Sequence, residues 1–167
     1  MSGIGLTNEQ ASAVKSTWAL VEKDLKQHGI NIFIRLFTQY PHTQQLFRGL
    51  KDIPLDALEK KPALRAHAMG VMKEFSGFVD IIDETETLVA AITGNAIRHY
   101  GRKVTADDYE NLMLLIHAYL QEQLGDAFTQ DASDGWKVVK NALVATIAKQ
   151  YKIMDAENSY WSWCNLL

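Results

Sequence analysis

Residues 62–101 read PALRAHAMGVMKEFSGFVDIIDETETLVAAITGNAIRHYG, and the spacing of their apolar residues decides the fold class. Pro62 suits the first turn of a helix, where its missing N–H would have no intrahelical partner anyway. Behind it Leu64, His67, Val71, Phe75, Phe78 and Ile82 recur at steps of three and four. That is one face of a 3.6-residue period, carried over about 20 residues or roughly 30 Å. The polar run Asp83-Glu84-Thr85-Glu86 breaks the chain and restarts it. Leu88, Ile92, Asn95, Ala96 and His99 then share one side of a second helix that ends near Gly101. A hairpin of the two turns both stripes toward one gap, and each stripe carries a histidine.

The same period extends in both directions. Thr7-Asn8-Glu9-Gln10 reads as a capping box, in which a hydroxyl meets an early N–H and a glutamine reaches back. Ala11, Val14, Trp18, Val21 and Leu25 follow on one face of a first helix. A second carries Ile32, Phe33, Leu36 and Phe37 and stops near Tyr40, because the residue before a proline avoids the helical region. Pro41 opens a short helix that delivers Phe47. Residues 48–61, interrupted by Gly49 and Pro54, form a connection with at most a short helix. Further on, Thr105 with Asp107 and Asp108 begins a helix whose carboxylates lie at the positive end of its dipole. Its face is Tyr109, Leu112, Met113, Ile116, Tyr119 and Leu120, and Gly125 closes it. A last helix from about Ser133 carries Trp136, Val139, Leu143, Ile147 and Tyr151. No segment alternates well enough for a sheet. The expectation is an all-α domain over residues 1–154. A tail follows over residues 155–167, whose Tyr160, Trp161 and Trp163 are apolar enough to pack on the domain or on a partner.

The totals exclude several classes. A chain of 167 residues, 47% of them hydrophobic, suffices for one domain with one core. A net charge of -3 offers no basic footprint for nucleic acid or an anionic membrane. No apolar run approaches the 18 or so residues of a membrane span. The start MSGIGLT lacks the basic and apolar regions of a signal peptide, and the lone Cys164 fits a reducing compartment. A cytoplasmic protein, monomer or homodimer, is expected. There is no Cys-x-x-Cys, His-Glu-x-x-His, phosphate-cradling glycine loop or nucleophile elbow.

Chemistry therefore rests on the histidines, of which there are five. His28, His42 and His117 read as structural or surface residues. His67 and His99 fall in the apolar stripes of two helices that face each other. Neutral imidazole is a good ligand for iron or zinc, yet a structural zinc site wants four protein ligands. Two histidines suit instead a metal whose other four positions are filled by a planar macrocycle. The spacing alone leaves both readings open, and a histidine on an apolar face is more commonly a core residue bonded to a carbonyl.

Residues 18–47, WALVEKDLKQHGINIFIRLFTQYPHTQQLF, resemble the first part of vertebrate myoglobins. Residues 67–72, HAMGVM, are similar to the distal segment of animal globins. His99 followed by Val104 and Tyr109, and residues 124–129 with Trp136, resemble neuroglobins. Residues 147–151, IAKQY, resemble the end of the last myoglobin helix. The pieces occur in the family's order from about Leu6 to Met154. The resemblance implies the globin fold, with about seven to eight helices around a pocket for haem b, iron protoporphyrin. His99 is then the proximal iron ligand, and His67 stands on the distal side, hydrogen-bonding a bound gas or binding iron itself. Phe47 wedges the porphyrin, Phe33 and Val71 form the distal wall, and Leu50, Phe75, Val104, Tyr109 and Leu112 line the rest. Two departures stand out: Asn95 where many globins have leucine, and Arg98 in place of a small or polar residue. Arg48, Arg98, Arg102 and Lys103 are candidate partners for the propionates. The implied ligands are dioxygen, CO and NO, and the implied role is oxygen storage or delivery. The alternatives are nitric oxide dioxygenation or nitrite reduction with a reductase as electron donor, and a gas or redox sensor with a bis-histidyl haem.

Overall fold

The computed structural model describes residues 4–164, with side chains described as far as residue 159. Among the described residues there is no strand, and eight α-helices with two short 3₁₀ helices, Glu22–Asp24 and Gly125–Ala127, account for the regular structure. They are α1 (Asn8–Val21), α2 (Leu25–Gln39), α3 (Pro41–Gln44), α4 (Leu55–Leu58), α5 (Pro62–Asp80), α6 (Thr85–Tyr100), α7 (Ala106–Leu124) and α8 (Gln130–Cys164).

Local chemistry sets most of these boundaries. Thr7 caps α1 in a complete capping box, its hydroxyl accepting from Gln10 N at 3.2 Å while the Gln10 side chain accepts from Thr7 N at 3.1 Å. Thr105 and Asp108 repeat the device at the start of α7. Pro41 and Pro62 occupy first turns, of α3 and α5, where a missing donor is harmless. Three expectations shift. Leu25 begins α2 instead of ending α1, because Asp24 accepts the Gln27 N–H and starts a new helix after one 3₁₀ turn. The last helix begins at Gln130, three residues early, where the Thr129 hydroxyl accepts Ala132 N–H. It also runs without a break through residue 154 to Cys164. The expected packing of Tyr160, Trp161 and Trp163 lies outside the described side chains.

Helix pairs α1–α8, α2–α5, α6–α8 and α7–α8 make the principal crossings. Two glycines let these helices approach closely. A Cβ on Gly29 of α2 would stand 2.7 Å from Met72 Cγ and 3.2 Å from the Ala68 carbonyl oxygen of α5. One on Gly135 of α8 would stand 2.8 Å from Val14 Cγ2 and 3.0 Å from the Gln10 carbonyl oxygen of α1. At the centre Trp18 and Trp136 lie with ring centroids 5.6 Å apart, both 1% exposed. Each indole N–H is satisfied, Trp18 donating to Ser76 Oγ at 2.9 Å and Trp136 to Thr17 Oγ1 at 3.0 Å. Burying these polar atoms without partners would cost about 1–3 kcal/mol each. Arg35 of α2 donates to Glu122 of α7 through both terminal guanidinium nitrogens and lies 5.0 Å from the Tyr119 ring centroid. This packing holds α5 and α6 on either side of one large cavity.

Candidate functional site

The cavity, with the solvent space at its open mouth, spans about 1020 Å3. Its walls come from α2, α3 with the turn after it, α5, α6, α7 and α8, the last through Leu143 and Ile147. α2 supplies Phe33, the turn after α3 supplies Phe47, and α5 supplies His67, Val71, Glu74, Phe75 and Phe78. α6 supplies Ile92, Asn95 and His99, and α7 with its leading turn supplies Val104, Asp108, Tyr109 and Leu112. Of the residues singled out in the sequence, His67, His99, Phe33, Phe47, Val71, Phe75, Val104, Tyr109 and Leu112 line this one space. Leu50 does not. It is 2% exposed in the core, in a turn pinned by the Gln44 side chain, which donates to the Leu50 and Ile53 carbonyls at 2.8 Å each.

His67 is half-buried and packed edge-on between two rings, 5.0 Å from the Phe33 centroid and 4.8 Å from that of Phe47. Burial lowers its pKa to about 4, with the neighbouring His99 and Arg102 charges adding to the effect. At neutral pH the ring is uncharged, with one N–H and one lone pair. His99 is held differently. Its Nδ1 lies 2.9 Å from the Asn95 carbonyl oxygen, one turn back along α6. A carbonyl can only accept, so Nδ1 carries the proton, and in the neutral ring Nε2 keeps the lone pair. The ring also meets Tyr109 edge-on at 5.8 Å.

A polar group crosses the cavity wall between α5 and α6. Glu74 accepts Asn95 Nδ2–H at 2.8 Å and pairs with Arg98, while the Tyr109 hydroxyl donates to Asn95 Oδ1. Burial, reinforced by Tyr151 and Glu74, pushes the Tyr109 pKa up, so it remains a phenol. Arg98 is thereby occupied. Arg102 lines the cavity yet is exposed, at its mouth, after which Lys103 turns the chain with φ 62°. Arg48 and Lys103 are exposed and do not line the cavity. At the start of α7 the Asp108 carboxylate joins Thr105 to His42, which lies 2.8 Å away through Nε2.

Glu74 was not singled out in the sequence, although its place seven residues after His67 puts it on the stripe. A carboxylate on an apolar stripe reads as a solvated edge until the partners that satisfy it are seen. Asp108 is a helix-start charge, as its place after Thr105 predicts, and it also faces the cavity. Among the described residues no group of three or more His, Cys, Asp or Glu side chains comes together as a metal cage. A metal held between His67 and His99 therefore needs its remaining donors from a bound group.

The family model for globins matches residues 30–147. The chain is 27% identical over 147 residues to a globin of Nerita albicilla, covering 88% of this chain and 94% of the relative. It is 29% identical over 149 residues to cytoglobin-2 of Danio rerio, covering 87% and 83%. It is also 29% identical over 119 residues to hemoglobin-3 of Phacoides pectinatus, covering 71% and 78%.

Proposed function

The chain belongs to the globin family, which implies a haem cofactor and haem-based gas binding, and on that premise we propose that it binds haem b between His99 and His67 for reversible uptake of dioxygen. The observation that carries the reading is the His99 geometry. Its Nδ1–H is committed to the Asn95 carbonyl, which leaves the lone pair on Nε2 in the form that ligates iron. The donor set fits the group: two imidazoles, an apolar enclosure and one exposed arginine at the mouth. Haem supplies a ferrous iron able to take dioxygen, CO or NO. His99 would hold that iron through Nε2, and Phe47 would lie against the porphyrin. Phe33 and Val71 limit water on the distal side. His67, neutral at working pH, would offer an N–H to a bound gas, worth about 1–3 kcal/mol or up to about a hundredfold in affinity. Arg102 is the propionate partner that its position favours. Storage or delivery of dioxygen in the cytoplasm is the role this assigns.

A second reading is supported by the placement of His67 and His99 in the wall of one cavity. The lone pair of a neutral His67 would let that residue hold the iron itself in the absence of gas, which suits a sensor.

The test is the absorption spectrum of the purified protein in ferric, ferrous and CO-bound forms, with His99→Ala alongside. Stoichiometric haem in the parent, and loss of most haem or a changed axial signature in the variant, are expected. Full haem retention with an unchanged spectrum in His99→Ala would remove His99 as the ligand.

A further inference from the structure

The polar group between α5 and α6 has its hub at Asn95, which is 8% exposed. With its main-chain carbonyl Asn95 accepts the His99 Nδ1–H at 2.9 Å. With its carboxamide it donates to Glu74 of α5 at 2.8 Å and accepts from the Tyr109 hydroxyl of α7. One residue thus ties His99 to both neighbouring walls of the cavity. A carboxylate facing an apolar space is costly unless its oxygens are satisfied, and both oxygens of Glu74 are taken, by Asn95 and Arg98. α5 and α6 otherwise touch sparsely, so this group is the main polar link between the helix that bears His67 and the helix that bears His99.

We propose that Asn95 is a positioning residue, held by Glu74 and Tyr109, that sets the strength of the His99 Nδ1–H bond and so transmits the placement of α5 to the proximal ligand. The inference rests on the reading of His99 as the axial ligand. The physical link is donor basicity: the more firmly Nδ1–H is engaged, the more electron-rich Nε2 becomes. Loosening the carbonyl weakens that engagement and lowers the electron donation from His99 to iron. The polar trio is also specific to the chain's own side chains, since an aliphatic residue at position 95 offers α5 and α7 nothing to hold.

The experiment uses the His67→Leu protein loaded with ferrous haem, so that the iron has one histidine ligand and its iron–histidine stretch is visible by resonance Raman. Asn95→Leu and Glu74→Ala, each added to that parent, are expected to move the stretch to lower frequency and raise the reduction potential. Glu74→Gln, which keeps an acceptor for Asn95 Nδ2–H, is expected to return the stretch most of the way to the parent value. A stretch unchanged by both Asn95→Leu and Glu74→Ala overturns the proposal while leaving His99 as ligand. Absence of the iron–histidine band in the parent defeats the ligand assignment itself, and the proposal with it. Should a variant fail to retain haem, long-range 1H–15N spectra of its apo-protein report the His99 tautomer. Nδ1–H is expected to dominate in the parent and to give way to a mixture in the Asn95→Leu and Glu74→Ala proteins. An unchanged tautomer there counts against the proposal as the unchanged stretch does.

Discussion

At His67 the cavity wall and the titration of one ring are the same fact. Burial holds its pKa near 4, below the value of about 6.5 for an unhindered histidine. The unfolded chain therefore binds the extra proton between roughly pH 6.5 and 4, and the folded apo-protein resists it. Stability associated with His67 is complete above about pH 6.5 and lost as pH falls through 4, by on the order of 3 kcal/mol at the most. Denaturant titrations of the apo-protein at pH 7 and pH 4.5 should show a larger acid loss for the parent than for His67→Leu. Equal losses would mean that the ring is not buried as described. The same variant probes ligand binding. His67→Leu should speed dioxygen release by roughly tenfold or more, as expected for loss of a hydrogen bond to a charged acceptor, measured by stopped-flow. If His67 takes the sixth position, the ferrous spectrum should also pass from low-spin to high-spin on substitution. A low-spin form that survives would identify another sixth ligand.

α5 is governed by two glycines with opposite demands. Gly29 belongs to α2 but decides how closely α5 lies, since a Cβ there meets the Ala68 carbonyl and Met72. Gly29→Ala should cost about 1–3 kcal/mol by overpacking, seen as a lower denaturation midpoint with an unchanged slope. Gly70 stands on the exposed side of α5, with nothing within 4 Å of a Cβ. Gly70→Ala should stabilise the helix by about 0.5–1 kcal/mol. If Gly70 eases a shift of the backbone that carries His67, the alanine variant should also show less low-spin ferrous haem than the parent, whereas an unchanged spectrum would confine Gly70 to helix propensity. The element boundaries follow similar logic. Capping boxes at Thr7 and Thr105 were legible because their chemistry is local. Leu25 lies in α2 although its spacing continues the face of α1, because apolar spacing runs on across the 3₁₀ turn that Asp24 closes.

Across the whole molecule the last helix links the core to its far end. It packs Trp136, Leu143 and Ile147 inside, and residues 155–159 further along it are exposed. Tyr100 at the end of α6 meets this extension, donating its hydroxyl to the Asp155 carboxylate and accepting from Asn158 Nδ2 at 3.1 Å. Truncation after Met154 should lower the melting temperature by a few degrees while leaving the haem spectrum intact, as calorimetry and absorption would show. A change in mass by light scattering on the same truncated protein would place the tail in a dimer contact. Identical melting would mean that the Tyr100 contacts add nothing in solution.

What the sequence by itself determined was the helical class, most helix starts and the two histidines on facing stripes. These follow from periodicity and capping, which act over a few residues. It also made the cavity wall largely legible, since a residue on the inner stripe of α5 or α6 has few other places to go. Only the tertiary structure decided which polar groups the wall tolerates. Glu74 faces the cavity because Asn95 and Arg98, more than twenty residues away, satisfy its oxygens. Leu50 misses the cavity because it lies in an irregular turn, where no period directs a side chain and the Gln44 amide sets the path. The tautomer of His99 was likewise settled by a bond to a carbonyl. Composition cannot reveal such pairings, because the cost of burying a charge or an N–H depends on the partner that folding brings to it.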